Sequence, residues 1–383
     1  MSRVEGCLVR DMDITISKAS FKVLGGLERH CLEVARGLEA LGHRVRILTL
    51  HPVDEDEDFV GKKIPEMNVV SVVGHTNHKR IANFSKAVAA WRVRHPVDAL
   101  LGFDCMPGLD FYYSAAMPWP VYYWPKRWLP RYQTYQKLER SVFGADAQTF
   151  LFFLADNQVK EFTQRYQLSS SRSLVLPPTL YSSQRMPNQF YSSRMRVREY
   201  FKIADDQHLL INIAIYGQQK GTDRAIRALM DVPDAVLLSV GLGSNEAFKK
   251  LAHESGVGER VRFIGYTQDI EELISASDFM VHPARVETSG NVIIESLLYG
   301  VPVISSAICG YSSHVSRAKG GIVLTEPFEL SRLVQILQEC LREEVLASYR
   351  ANARTYALEL SNSPGFRGIS RIISEKIQRS CGR

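Results

Sequence analysis

Short apolar runs alternate with helical stretches along almost the whole chain, and the alternation falls into two blocks separated by a polar segment. The opening of the first block is the clearest case. A strand near Asp13–Ser17 runs through a loop to Gly25-Gly26. Leu27, Cys31, Val34, Leu38 and Leu41 then recur at helical spacing, Gly42 ends the helix, and Val45–Leu50 has the continuous apolar character of a buried strand. A strand–helix–strand unit of this kind forces parallel pairing, because a parallel neighbour is reached only by a crossover and the crossover helices must cover the sheet. Further strands are expected at Val69–Val73, Ala99–Phe103, Thr149–Leu154 and Leu174–Leu176. Residues 181–193, rich in Ser, Gln, Asn and Pro, read as a linker. Beyond them strands are expected at Leu209–Ala214, Ala235–Val240, Val261–Ile264, Phe279–His282 and Val301–Ser305, with helices over 221–230, 246–255, 269–276 and 290–299.

The pattern predicts two doubly wound α/β domains facing each other across a cleft, and 383 residues are enough for two cores. The expected division is an N-terminal domain over 12–180, preceded by an extension at 1–11, and a C-terminal domain over 194–360. A helical tail at 361–383 is expected to pack back on the first domain. Met12 is a second possible start, since the first strand begins just after it.

With 45% hydrophobic and 23% charged residues the chain is of the folded, globular class. No stretch approaches the roughly 20 apolar residues that cross a bilayer, and Met1–Arg10 lacks an apolar signal core, so a cytoplasmic location is expected. The six cysteines lie far apart with no C-x-x-C pair, which argues against a zinc site and a disulfide scaffold. Asp54–Asp58 reads as a solvated acidic loop, and no histidines have ligand spacing, so neither metal nor other cofactor is expected.

The chemistry concentrates at Glu287-Thr288-Ser289-Gly290-Asn291-Val292-Ile293-Ile294-Glu295. Two carboxylates stand eight positions apart around a small-residue turn that opens a helix. Small residues let the backbone approach a diphosphate, and the N–H groups of a helix start stabilise its charge. Glu295, inside the helix, is placed to accept from ribose hydroxyls, and Glu287, before the turn, from hydroxyls of a sugar. Two glutamates alone would as well be a surface residue and a solvated helix residue; the preceding strand, the Ser-Gly turn and the apolar helix favour a binding site.

This segment resembles the donor-binding E-x7-E signature of the family-4 retaining glycosyltransferases, and the resemblance extends over nearly the whole chain. It implies the GT-B architecture of two Rossmann-like domains and a nucleotide-sugar donor. Gly25-Gly26 fits the family's first-domain glycine pair, which lies over the donor diphosphate. Gly217-Gln218-Gln219-Lys220-Gly221 resembles its phosphate loop. Lys220 matches the loop lysine, but Gln219 stands where an arginine is usual, leaving one cation on the departing diphosphate instead of two. Phe263-Ile264-Gly265-Tyr266 resembles the loop whose backbone holds the base. The resemblance implies catalysis by Lys220 and Glu287, and donor binding by these residues with Thr288, Ser289, Gly290, Asn291 and Glu295. Retention in this family is explained by front-face attack, in which the leaving phosphate takes the acceptor proton, so no side-chain base and no metal are implied.

Gly74–His78, Gly102–Asp110, Ala307–Tyr311 and Glu326-Pro327-Phe328 are similar to segments of lipopolysaccharide core glucosyltransferases, which move glucose from UDP-glucose to an inner-core heptose. That similarity implies a lipopolysaccharide core acceptor and makes His75, Asn77, His78 and Asp104 candidates to hold heptose hydroxyls or core phosphates. The histidines would equally serve to cap their own loop, and Asp104 replaces the amide usual at its position. Another nucleotide sugar with another glycolipid or polysaccharide acceptor, and a catalytically weak nucleotide-sugar-binding protein, are the competing expectations.

Pro118 to Arg140 carries three of the four tryptophans of the chain. Trp119, Trp124 and Trp128 alternate there with Lys126, Arg127 and Arg131, and Lys137 and Arg140 follow. Tryptophan favours the headgroup region and clustered cations favour anionic lipid, so the segment reads as a peripheral anchor on the inner face of the cytoplasmic membrane. Packing into the first-domain core is the alternative. Interleaved prolines and the absence of a nucleic-acid fold signature argue against nucleic acid.

Overall fold

The computed structural model describes residues 11–22, 25–53, 64–118, 128–178, 190–241, 243, 245–362 and 365–382. The chain divides into two compact units, Met1–Tyr181 with Pro364–Arg383, and Ser182–Ser363. The acidic run at Asp54–Asp58 and most of the N-terminal extension lie outside the described residues.

The first unit holds seven strands: β1 (Asp13–Ser17), β2 (Arg44–Thr49), β3 (Glu66–Val69), β4 (Ala99–Gly102), β5 (Phe111–Ser114), β6 (Phe150–Phe153) and β7 (Ser173–Val175). They form one parallel sheet in the order β3-β2-β1-β4-β5-β6-β7. The second unit holds β8 (His208–Ile213), β9 (Ala235–Val240), β10 (Val261–Ile264), β11 (Phe279–His282), β12 (Val303–Ser306) and β13 (Gly321–Leu324). These are parallel in the order β10-β9-β8-β11-β12-β13. Both are Rossmann-like doubly wound sheets. Central strands such as β4, β9 and β11 are buried at every position, which is why they read as unbroken apolar runs and not as alternating ones. The direction of winding reverses between β1 and β4 in one sheet and between β8 and β11 in the other. Such switch points open a crevice at the carboxyl ends of the strands, where ligands bind.

The helix Gly365–Cys381 closes one face of the first unit. Ile369, Ile373 and Ile377 recur every four residues and are fully buried in the cluster that contains Cys31, Val34 and Leu38 of the helix Gly26–Ala40. The two helices meet at Gly37: a Cβ there would stand 2.1 Å from Ser370 Oγ. Two hydrogen bonds fix the docking, from Ser370 Oγ to the Val34 carbonyl (3.3 Å) and between His43 Nε2 and Ser374 Oγ (2.7 Å).

Several elements depart from the sequence reading. The strand expected at Val69–Val73 lies earlier, at Glu66–Val69, and Val73 is 81% exposed. Strands β5 and β13 were not anticipated, nor were the helices Asn77–Arg94 and Pro130–Phe143. The first of these helices buries only Phe84, Ser85 and Val88, too thin a stripe for periodicity to register. The helix Phe190–Phe201 begins inside the expected linker. Among the described residues no helix is long and apolar enough to cross a membrane.

Candidate functional site

In the second unit the switch point is built from two loops. β8 leads through Ala214–Tyr216 into the short helix Gly217–Lys220, and β11 leads through 283–290 into the helix Asn291–Leu298. The loops are tied by backbone: the Gln219 carbonyl accepts from the N–H groups of Arg285 (2.7 Å) and Val286 (3.2 Å). Arg285 adds a side-chain strap, with Nη1 and Nη2 on the two Asp223 carboxylate oxygens (2.7 and 2.8 Å) and Nη1 also on the Gln218 carbonyl (2.9 Å). Gly221 makes the approach possible. Its φ is +74°, and a Cβ there would lie 2.1 Å from the Pro283 carbonyl oxygen. Beneath, buried Asn212 of β8 donates to the Val281 carbonyl of β11 (2.8 Å) and accepts from Thr222 (2.7 Å).

This frame brings Lys220 and Glu287 together across 67 positions of sequence, Nζ to Oε2 at 2.8 Å. The same oxygen accepts from His282 Nε2 (3.0 Å), and Oε1 accepts from the Thr288 N–H (3.0 Å). The Glu287 side chain is 12% exposed. Burial by itself would raise its pKa, but the His282 hydrogen bond and the Lys220 charge outweigh that and hold it at about 2. Glu287 is therefore held as an anion, with donors on both of its carboxylate oxygens.

Gly290, at φ +86°, turns the chain into the helix Asn291–Leu298, and Ser289 Oγ reaches Asn291 Oδ1 (3.3 Å). The Ser289 carbonyl accepts from the Tyr311 N–H (2.7 Å), which joins the turn to the Ala307–Tyr311 segment. Glu295 is one turn into that helix, four residues after Asn291, and is partly exposed. Gln219 is exposed and sits at the loop through its backbone. At the end of β10 the Gly265 carbonyl accepts from the Gly241 N–H (3.3 Å), and Tyr266 is 67% exposed.

The first unit presents a matching arrangement at its own switch point. Asp104, just after β4, accepts from the Ala19 N–H just after β1 (2.6 Å). Lys18 is buried and pairs with Glu28 (2.9 Å), whose other oxygen accepts from the Gly25 N–H (3.1 Å). Burial alone would lower the Lys18 pKa; Asp104 and Glu28 reverse this and raise it. A Cβ at Gly26 would meet no neighbour within 4 Å, whereas one at Gly25 would stand 2.9 Å from Glu28 Oε2. His75 and Asn77 are exposed, and His78 contacts Thr76 (3.4 Å); no described hydrogen bond joins the three to Asp104. Trp128 is 72% exposed and Arg131 is exposed at the start of the helix Pro130–Phe143, whose Tyr132, Leu138, Val142 and Phe143 turn inward. Trp119, Trp124, Lys126 and Arg127 lie outside the described residues.

The sequence reading did not single out His282, the Arg285–Asp223 strap or Lys18–Glu28. Only the last carried a local signal, the three-residue spacing of Gly25 and Glu28 at a helix start. Among the described residues no three His, Cys, Asp or Glu side chains group as metal ligands.

Residues 24–179 match the Glycosyltransferase Family 4 model, and residues 193–359 match the Glycosyl transferases group 1 model. The chain is 34% identical over 350 residues to the lipopolysaccharide glucosyltransferase WaaG of Escherichia coli, covering 87% of this chain and 91% of that protein. The crystal structure of WaaG, a glycosyltransferase involved in lipopolysaccharide biosynthesis, superposes with a TM-score of 0.84 at 31% identity, over 94% of this chain and 99% of that one. Anabaena HepE in complex with UDP-glucose shares the fold, with a TM-score of 0.73 at 18% identity, over 97% of this chain and 99% of that one.

Proposed function

Because this chain belongs to the family-4 glycosyltransferases of the GT-B fold, the family of WaaG, we propose that it transfers glucose from UDP-glucose to an inner-core heptose of lipopolysaccharide with retention. The observation that carries the donor half of this reading is the Lys220–Glu287 pair at the second switch point. Glu287 accepts from hydroxyls of the glucosyl group, and Glu295 from the ribose. Lys220, the backbone of the Gly217–Gly221 loop and the N–H groups at the start of the helix Asn291–Leu298 receive the diphosphate. Thr288, Ser289 and Gly290 keep that approach free of bulk. Gly265 and Tyr266 meet the base. The bond from the anomeric carbon to the UDP oxygen breaks as the acceptor oxygen bonds the same face, and the acceptor proton passes to the leaving phosphate. The charge that develops is met by protein donors, with no metal and no other cofactor required.

Gln219 leaves the loop one cation short, and Arg285, at the same loop, is already neutralised by Asp223. That observation favours slow turnover as the second reading. Asp104 is the acceptor contact with the best structural support, because it stands at the first switch point; His75, Asn77 and His78 are further acceptor contacts in this reading.

Transfer from UDP-glucose onto core lipopolysaccharide truncated after heptose is expected to yield an α-1,3-linked glucosyl-heptose, read by NMR. Preference for UDP-galactose, UDP-N-acetylglucosamine or GDP-mannose in the same assay would replace the donor assignment.

The enzyme acts at the cytoplasmic face of the inner membrane in this proposal, held there by the segment around Trp119–Arg131. The exposure of Trp128 and Arg131 supports it. In liposome flotation, binding is expected to increase with anionic lipid and to fall about tenfold in a Trp124→Ala/Trp128→Ala variant, the loss of two interfacial aromatics. Equal flotation of the variant excludes the anchor.

A further inference from the structure

We propose that His282 is a positioning residue that clamps the Glu287 carboxylate: its Nε2–H donates to Oε2, the oxygen that also accepts from Lys220. The inference deepens the donor-site reading above and rests on it for its catalytic consequence.

His282 is the last residue of β11, a strand held between β8 and β12, and its Cα pairs with Ser305. The preceding carbonyl, of Val281, is held by Asn212, which Thr222 holds in turn. The ring therefore hangs from one of the best-anchored points of the sheet. It is 1% exposed, and its Nδ1 is buried with no hydrogen-bond partner among the described residues. The contact with Glu287 at 3.0 Å is thus the ring's hydrogen bond among those residues. Since the carboxylate only accepts, Nε2 carries the proton. A half-satisfied imidazole in a strand of Phe279, Met280 and Val281 is a poor choice for packing, where another apolar side chain would stabilise the sheet more. Its presence is explained by what it does for Glu287.

Charged and titratable groups face that carboxylate from the elements around it. Lys220 faces it from the helix Gly217–Lys220 and His282 from β11. Cys309, after β12, also feels it, and burial first, with Glu287 second, pushes this thiol far up, so it stays neutral. Of the two donors on Oε2, Lys220 is also the cation assigned to the diphosphate. A ligand that draws Lys220 away leaves His282 to keep the carboxylate in place.

Three substitutions test the clamp: His282→Ala, His282→Asn and His282→Gln. The Gln amide nitrogen reaches the place of Nε2, and the shorter Asn amide does not. kcat/KM for UDP-glucose is expected to fall about ten- to hundredfold in the Ala and Asn variants, the value of one hydrogen bond to a charged group. Gln is expected to recover most of that loss. The acid limb of the pH profile should move up in the Ala variant, because the carboxyl loses a donor that holds its pKa down, and should move back in the Gln variant. Titration of the Glu287 side-chain carbon by NMR reads the same change without substrate. An unshifted Glu287 titration in His282→Ala overturns the clamp whatever the donor proves to be, and so does a Gln variant as impaired as the Ala variant when both unfold at the wild-type temperature. Absence of UDP-glucose turnover in the wild type, with the titration shifted as expected, overturns the donor assignment and leaves the clamp standing.

Discussion

Glu287→Gln is expected to lower kcat/KM for glucosyl transfer about hundred- to thousandfold, the loss of roughly two hydrogen bonds to a charged acceptor, with the fold intact. The reason lies in the polarity of its three partners. Lys220 Nζ and His282 Nε2 both donate to Oε2, and the Thr288 N–H donates to Oε1. A carboxylate satisfies all three, but an amide carries a donor at one end. Whichever way Gln is turned, its NH2 meets an N–H, and Lys220 is left beside a neutral group. Activity measured together with thermal unfolding separates this loss from a global one. A double-mutant cycle with Lys220→Ala is expected to be strongly non-additive, because each substitution removes the same ion pair. Additive losses would mean that the two residues act apart. Since the Glu287 pKa is held at about 2, the carboxylate contributes stability above the ordinary carboxylate range and loses it only as pH falls toward that value. No acid-induced loss of transfer at mildly acidic pH is expected from this group.

The second large effect is expected from Gly221→Ala, which adds one methyl group. A Cβ at this position would stand 2.1 Å from the Pro283 carbonyl oxygen, and the φ of +74° is unfavourable for any residue with a Cβ. Backbone cannot yield as a flexible side chain does, so the loop after β11 must shift, and Glu287 shifts with it. A destabilisation of about 1–3 kcal/mol is expected from the strain. Catalysis is expected to suffer more, about hundredfold in kcat/KM, because a displacement near 1 Å is enough to spoil alignment. Gly256→Ala is the control. Its φ is +68°, but no atom lies within 4 Å of the added Cβ, so it carries the conformational cost without the collision and transfer is expected to be unchanged. If both variants behave alike, the contact with Pro283 is not what Gly221 is for.

The sequence revealed those parts of the fold whose information is local. The spans Ala235–Val240 and Phe279–His282 are read to the residue, because a buried parallel strand is a mostly apolar run between turn signals. β5, with Phe111-Tyr112-Tyr113-Ser114, has neither alternation nor an aliphatic run, and only its neighbours in the sheet define it. At the candidate site the same distinction holds. Glu287, Ser289, Gly290 and Glu295 lie in one segment, and their chemistry is visible as a string. Their setting is not, since Lys220 comes from 67 positions away and the Arg285–Asp223 strap from 62. His282 looked like the polar end of a strand, and nothing in its neighbours in sequence marks the hydrogen bond it makes. Lys18 is similar: a lone lysine after a short strand reads as solvated, yet it is 6% exposed and paired.

The docking of the helix Gly365–Cys381 has a consequence for how the molecule is born. The core beneath the helix Gly26–Ala40 is finished only by Phe366, Ile369, Ile373 and Ile377, the last apolar residues of that cluster to leave the ribosome. Between Tyr181 and Pro364 the whole of the other unit is translated, a delay of roughly 10–40 s at ordinary elongation rates. During that interval the nascent half-domain carries an uncovered apolar flank, the kind of surface that recruits chaperones. Order of synthesis and order of completion are therefore inverted: the half translated later is the first whose core is whole.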